Sequence, residues 1–187
     1  MQRVGPNEEV FRRVYDLVYP IIFRIVYRVT GNVDVAEEIC QESFIKYYER
    51  MDTFPDTDQA KYWLIRVSKN LALNVAKRAN RERRAYERFY HEPRRPTKTG
   101  EDEVIREESE REIQWALEQL PEKLRTVLVL KEYGQLNYRE IASILSITEG
   151  NVKVRVFRAR ERLLEILNDA SNHRRNPAEP EDTRNET

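Results

Sequence analysis

Apolar residues recur every three or four positions along most of this chain, which is the spacing of amphipathic helices. Val10, Val14, Leu17, Ile21, Ile25 and Val29 predict a first helix, and Pro20 inside it is expected to kink it or split it. "TGN" at residues 30–32 ends the run. Asp34 is placed to cap a second helix, with Glu37 three residues on in capping-box position. The apolar stripe of that helix is Ala36, Cys40, Phe44, Tyr47 and Met51. After the loop "TFPDTDQ" a third helix is expected from about Ala60 towards Tyr90, with Trp63, Val67, Leu71 and Val75 as its core positions.

The periodicity then fails. "HEPRRPTKTG" holds two prolines and no large apolar residue, the composition of a linker. Beyond it, the acidic stretch "EDEVIREESERE" opens a helix expected to reach Leu120. Pro121 starts another, through about Glu132, and "YGQLN" turns the chain. Two more helices are predicted, Tyr138 to Leu145 and Glu149 to about Ala170. The polar end, residues 171–187, is expected to be disordered. The pattern therefore predicts an all-α chain of two small helical domains, residues 1–90 and 104–170, joined by a flexible polar linker at 91–103.

Composition adds little to the fold and more to the setting. Only five glycines, with many Glu, Arg, Leu and Ile, agree with helix throughout. The formal net charge is zero, so only the distribution of charge bears on partners. The single cysteine, Cys40, can form no internal disulfide, which fits a reducing compartment. His91 and His173 lie far apart, so no metal-ligand cluster is suggested and no cofactor is expected. The first ten residues lack the apolar core of a signal peptide, and no run of about 18 apolar residues could span a membrane. A soluble cytoplasmic protein is the expectation.

"NYREIASILSITEGNVKVRVFRARERL" has the shape of a helix-turn-helix. Asn137 caps the first helix with Glu140 at its third position, Ile141, Ala142 and Leu145 face inward, and Thr148 caps the second helix. Val152, Val156, Ala159, Leu163 and Leu167 form the core stripe of the second helix. Its opposite face carries Lys153, Val154, Phe157 and Arg158, with Arg155 on the flank. Cations there can meet phosphates or guanine edges, and Val or Phe can meet a thymine methyl. An ordinary helical hairpin with a solvated cationic face is the alternative reading of spacing alone.

A second basic region runs from Lys61 to Arg95 and includes Arg66, Lys69, Lys77 and Arg78, with few acidic residues. Aromatic residues precede and begin it: Tyr47, Tyr48, Phe54, Tyr62 and Trp63. Cations beside aromatics suit single-stranded or melted nucleic acid. Trp63 is nevertheless read as core, and Tyr47 and Tyr48 as half-buried packing residues. The second helix carries Asp34, Glu37, Glu38 and Glu42. An acidic surface beside a basic one suggests two different partners, one of them a protein.

These residues together resemble the extracytoplasmic-function sigma factors, the small two-domain initiation factors of bacterial RNA polymerase. The likeness runs from about Val10 to Leu167. "DVAEEICQESFIKYYERMDTF" is similar to that family's Asp-x-Ala-Glu-Asp/Glu…Gln-Glu-x-Phe segment, and "YWLIRVSKNLALNVAKR" to its Trp-Leu-x-Arg-[Ile/Val]-x-x-Asn segment. "LPEKLRTVLVLKEYGQLNYREIA" and "EGNVKVRVFRARERL" resemble its Leu-Pro…Arg-x-Val…Gly…Tyr-x-Glu-Ile-Ala and Gly-[Thr/Asn]-Val-Lys-x-Arg-x-x-Arg-Ala-Arg runs. Four such segments in order, either side of a polar linker, are highly specific.

The resemblance implies roles. Asp34, Glu37, Glu38, Gln41 and Glu42 fall in the segment that grips the clamp helices of the polymerase's largest subunit. The loop from Phe54 to Ala60, with Asn70, matches the pocket for a base flipped out of the −10 element, where Asn offers a donor and an acceptor. Arg66, Lys69, Lys77 and Arg78 would follow the strand backbone. Lys131, Tyr138 and Arg139 match positions that meet the −35 duplex from its side, and Lys153, Arg155, Phe157 and Arg158 match the helix in the major groove. Core RNA polymerase and promoter DNA are the partners so implied, and many members are also held inactive by an anti-sigma protein. Two positions depart from the pattern: Asn74 stands where many members have Asp, and Asn137 where Ser or Thr is usual.

The function so expected is that of an alternative sigma factor with no chemistry of its own. The competing class is an autonomous helix-turn-helix regulator that binds duplex DNA without polymerase. Such proteins usually dimerise to match two half-sites. No sustained heptad offers a dimerisation helix here, and the basic Lys61–Arg95 stretch would go unexplained. An enzyme finds no support, because no nucleophile–base pairing or metal spacing occurs.

Overall fold

The computed structural model describes residues 6–87 and 101–175, with side chains for 7–82 and 108–172. Among the described residues there are seven α-helices, one short 3-10 turn (Met51–Thr53) and no strand. The helices are α1 (Pro6–Thr30), α2 (Val33–Tyr48), α3 (Thr57–Glu87), α4 (Glu101–Gln119), α5 (Glu122–Glu132), α6 (Tyr138–Leu145) and α7 (Glu149–Arg175). The linker expected at 91–103 falls outside the described residues except for residues 101–103, which belong to α4. Helix α7 runs on to Arg175, beyond Ala170 where the sequence pattern ends it. The rest of the expected tail lies outside the described residues.

In the first half, α1, α2 and α3 pack around Val14, Val18, Ile22, Ile25, Val26, Ile39, Phe44, Leu64 and Ile65, all buried. α1 is not split at Pro20. Pro20 and Asp16, whose carbonyl the missing N–H frees, both lie on the exposed side, so water can satisfy that carbonyl. The stripe of α1 is rotated from the expected one: Val18 and Ile22 are buried, whereas Val10 and Leu17 are exposed. α3 is rotated as well. Ala60, Leu64, Ile65, Ser68 and Ala72 make its buried face, Trp63, Val67 and Leu71 lie on the flank, and Val75 is exposed. The small residues on that face let α3 approach α1 and α2 closely. Ser68 causes no penalty, because its hydroxyl donates to the Leu64 carbonyl at 2.8 Å.

The caps correct one expectation and bear out another. Asn32, not Asp34, caps α2: its Oδ1 accepts the Val35 N–H at 2.9 Å, and Asp34 sits in the first turn where the helix dipole favours an anion. Gly31 precedes it at φ +69°, the left-handed conformation that ends α1 at little cost to a glycine. At α6 the capping box forms as the sequence predicts. Asn137 Oδ1 accepts the Glu140 N–H at 2.9 Å, and Glu140 Oε2 accepts the Asn137 N–H at 2.7 Å.

In the second half, Ala116, Leu117, Leu120, Leu128, Ala159 and Ile166 tie α4, α5 and α7 together. The helix-turn-helix joins a larger cluster. Ile141, Ile144, Val152 and Val156 are buried in one continuous apolar core with Val127, Leu130, Leu136 and the residues of α1–α3. Ile144, absent from the expected inner face, replaces the half-buried Ala142 and Leu145 at its centre. The two halves are thus packed directly against each other. At Gly134 a Cβ would stand 2.6 Å from the Leu130 carbonyl oxygen and 3.0 Å from Ile25 Cδ1, so only glycine lets the turn after α5 lie on α1.

Candidate nucleic-acid and polymerase interfaces

On α2 the residues Asp34, Glu38 and Gln41 share one exposed face, spaced four and three apart, with Glu37 and Glu42 exposed beside them. Continuing the same spacing gives Ile45 and Tyr48, which are 61 % and 63 % exposed. The face is therefore not only acidic: its second half is an apolar step. The 4-3-4-3 spacing of Asp34, Glu38, Gln41, Ile45 and Tyr48 is present in the sequence. Tyr48 is steadied by an edge-on contact with Phe11, ring centroids 5.6 Å apart. Beneath this face Cys40 is buried. Burial first, and then the charge of Glu37, push its thiol up to about 12, so it is unreactive near neutral pH.

The loop before α3 builds an aromatic ledge. Phe54 lies between Tyr47, at 5.7 Å, and Trp63, at 5.3 Å between centroids. The Arg50 guanidinium stands 5.0 Å over the Trp63 ring and 5.9 Å from Phe54. Trp63 is therefore a half-buried part of this ledge rather than a core residue. Asn70 is exposed on the same side of α3, seven residues and about 10 Å along the axis from Trp63. Phe54 and Trp63 are brought together, and Asn70 stands two turns away.

Farther along α3 the cations are engaged by the second half. Arg66 Nε donates to the Ile144 carbonyl at 3.2 Å, and its Nη2 to the Ser143 carbonyl at 2.9 Å. Lys61 Nζ lies 3.3 Å from Glu140 Oε1, to which the Tyr62 hydroxyl donates at 3.1 Å. Lys77 pairs with Glu122 at 3.1 Å. Lys69 is half-buried, and burial first, then Arg66 and Lys77, lower its pKa against the opposing effect of Glu122. Arg78 pairs within its own helix with Glu82 at 2.9 Å. Glu140 is held below the usual carboxylate range: burial acts upwards but is outweighed by the Asn137 N–H, Lys61 and Tyr62.

The helix-turn-helix presents its predicted outer face. Ser146 closes α6 in the left-handed conformation, φ 54°, and Thr148 Oγ1 accepts the Asn151 N–H at 3.2 Å to start α7. Val152, Val156 and Ala159 point inward, while Val154 and Phe157 are 48 % and 63 % exposed among Lys153 and Arg158. Arg155 is half-buried on the flank and Arg139 is exposed. The Tyr138 ring is flanked by two cations, Lys131 Nζ at 5.3 Å and Lys153 Nζ at 6.0 Å from its centroid. Lys131, Tyr138 and Lys153, from three helices, thus form one cationic cluster at the edge of α7.

Comparison with known proteins decides what this arrangement belongs to. The family model described as sigma-70 region 2 matches residues 14–82, and that for sigma-70 region 4 matches residues 110–163. The ECF RNA polymerase sigma factor SigW of Bacillus subtilis is 33% identical over 177 residues, covering 87% of this chain and 91% of that protein. This chain is an extracytoplasmic-function sigma factor of the sigma-70 family. The RNA polymerase sigma-H factor of Pseudomonas aeruginosa is 33% identical over 140 residues, 71% of this chain and 72% of its own. Among solved structures, the sigma factor RpoE of Bartonella quintana, in complex with the anti-sigma factor NepR, aligns with a TM-score of 0.62 at 25% identity over 84% of this chain and 96% of its own. CnrH, in complex with the cytosolic domain of CnrY, shares the fold with a TM-score of 0.65 at 20% identity, covering 88% of this chain and 91% of that one.

The region 2 match falls within α1–α3 and the region 4 match within α4–α7. This sigma factor directs transcription initiation at specific promoters, with core RNA polymerase and promoter DNA as its partners. Among the described residues no helix is long and apolar enough to cross a membrane, and no group of three or more metal-ligating side chains occurs.

Proposed function

We propose that the two halves divide promoter recognition as follows. The α2 face of Asp34, Glu37, Glu38, Gln41 and Glu42 binds the polymerase clamp, with Ile45 and Tyr48 adding apolar contact. The Phe54 ledge and Asn70 take a flipped −10 base, and Arg66, Lys69, Lys77 and Arg78 follow the strand. Lys131, Tyr138 and Arg139 meet the −35 duplex from the side, while Lys153, Val154, Arg155, Phe157 and Arg158 enter the major groove. The protein acts in the cytoplasm and carries no catalysis of its own. An anti-sigma protein that covers the α2 face and the recognition helix would silence it.

The observation that carries the reading is the outer face of α7. A helix with a complete core stripe has no packing reason to expose Phe157 and Val154 among cations, and a DNA groove supplies one. Run-off transcription with core polymerase on genomic fragments tests the whole assignment, and no specific transcript from any fragment would sink it. Asn70→Ala tests the pocket: −10 preference should be lost while polymerase binding is unchanged. A preserved −10 preference would remove Asn70 from base reading.

A further inference from the structure

The elbow between α4 and α5 holds a cation that the packing leaves unanswered. Arg125, one turn into α5, is 6 % exposed and is the only charged side chain among the buried residues described. No hydrogen bond or ion pair from its guanidinium to a described residue is made, and its Nε is buried without a partner. A buried guanidinium ordinarily offsets its lost hydration against a two-pronged anion. The nearby carboxylates are turned to other groups: Glu122 pairs with Lys77 at 3.1 Å, and Glu118 Oε1 accepts from Gln114 Nε2 at 3.4 Å. Burial accordingly lowers the Arg125 pKa, against the opposing charges of Glu118 and Glu122. The start of α5 is unanswered as well. Pro121 supplies no side-chain cap, and the Leu124 and Arg125 N–H groups both return to its carbonyl at 2.9 Å. The N–H groups of Glu122 and Lys123 are left with no acceptor among the described residues. Arg125 is also a cation near the positive end of its own helix, the wrong sign for the dipole.

These features share one wall of a cleft of about 750 Å³, and Lys77, Asn80 and Arg81 of α3 form the other. No carboxylate among the described residues pairs with Arg81, whose Nε donates weakly to the Lys77 carbonyl at 3.4 Å. We propose that this cleft binds a small phosphorylated ligand, whose phosphate oxygens accept from the Arg125 guanidinium, the Glu122 and Lys123 N–H groups and Arg81. Helical side chains lean towards the N-terminus of their helix, so Arg125 extends over the turn that carries the free N–H groups. Donors come from two helices and from backbone, which suits the several oxygens of a phosphate better than the two of a carboxylate. Glu118 and Glu122 at the same cleft would repel a run of successive phosphates, so the site favours one phosphorylated molecule over a nucleic-acid strand. Leu120 and Pro121 add an apolar stretch to the lining, and the volume is that of a small-molecule site. The inference stands apart from the promoter assignments, none of which uses Arg81 or Arg125.

The test is an NMR titration of the isotopically labelled full-length chain with inorganic phosphate and, separately, with ADP. Each is taken to about 10 mM, where even a millimolar site fills. The amide resonances of Glu122 and Lys123 are expected to shift and saturate. Tighter binding of ADP than of phosphate would identify a nucleotide as the ligand, and equal binding a free phosphate; both support the site. Arg125→Lys keeps the charge but removes the fork, and should weaken binding about ten- to hundredfold, the range for a lost hydrogen bond to a charged group. Arg81→Gln should weaken it by about tenfold on the same ground. Helical circular dichroism should be unchanged in both. If Arg125→Lys does not fold, Arg81→Gln carries the test, because its side chain is exposed. Unmoved Glu122 and Lys123 amides at the highest concentration would overturn the proposal, as would an affinity that Arg81→Gln leaves intact. A shift of the same amides by single-stranded DNA, with none by phosphate or ADP, would give the cleft to a strand and overturn it too.

Discussion

Helices α3 and α7 are both cationic and both carry aromatic residues, yet they stand differently towards DNA. On α3, Lys61, Arg66 and Lys77 each have an acceptor from the other half of the molecule. On α7, Lys153 lies 3.5 Å from Glu149 of its own helix, a weak i,i+4 pair, and Phe157 and Arg158 face solvent. The difference lies in what each helix has left over once its core is made. α3 is flanked by the carbonyl end of α6, whereas α7 closes the far side of the helix-turn-helix with one face unpartnered. Charge counted along the sequence makes the two alike, and only the identity of the acceptor tells a masked face from an open one.

The largest expected effect breaks the side of this comparison that is packed. Ile144 is buried at the point where α6 meets the shared core, and its carbonyl receives Arg66. Ile144→Ala should cost about 2–5 kcal/mol, as for other buried Ile truncations. Urea denaturation would read this, and a cost near zero would mean that α6 is not anchored in the common core. The open side is next. Arg158→Ala should weaken −35 discrimination by roughly 1–3 kcal/mol if the guanidinium contacts a base in two-pronged fashion. Transcription from promoters mutated at single −35 positions would show the loss confined to some bases, whereas an equal loss on all would make Arg158 a phosphate contact.

Much of this was legible beforehand because helices announce themselves twice, by period and by cap. The Tyr138–Leu145 helix, its Asn137 capping box and the two faces of α7 follow from local rules that tertiary packing did not override. In α3 the large apolar residues do not mark the core: Ala60, Ser68 and Ala72 set the buried face, and Trp63 lies on its flank. Asp34 and Glu37 imitate the capping spacing two residues after Asn32, so local spacing alone does not single out Asn32 as the cap. The contacts of Lys61, Tyr62 and Arg66 with α6 join residues about eighty positions apart, and no periodicity carries such information. The family resemblance suggests which surfaces serve as interfaces, but it does not carry the contact between α3 and α6.

A smaller effect sharpens the place where the two faces share a residue. Asn137→Ala removes one arm of the capping box and should cost about 1 kcal/mol, with Ser at the same position restoring most of it. Glu140 also takes the Asn137 N–H, which the substitution leaves in place, so its grip on Lys61 should persist. Thermal melts of Asn137→Ala and Asn137→Ser check the first point. A melt of Asn137→Ala equal to that of the wild type would show that the capping box adds nothing to α6.

The smallest expected change in stability belongs to the residue most exposed on α7. Phe157 has a 63 % exposed side chain, so Phe157→Ala should alter stability by no more than about 0.5 kcal/mol. Its neighbour Val156, one position away, is 1 % exposed and belongs to the core, which makes the pair an internal control for the face assignment. If Phe157→Ala leaves the melt unchanged but lowers −35-dependent transcription, the ring reads DNA, through thymine methyls or sugar edges. If the melt falls as it would for Val156→Ala, the ring is packing against the domain, and the two faces of α7 are not the separate surfaces that their burial describes.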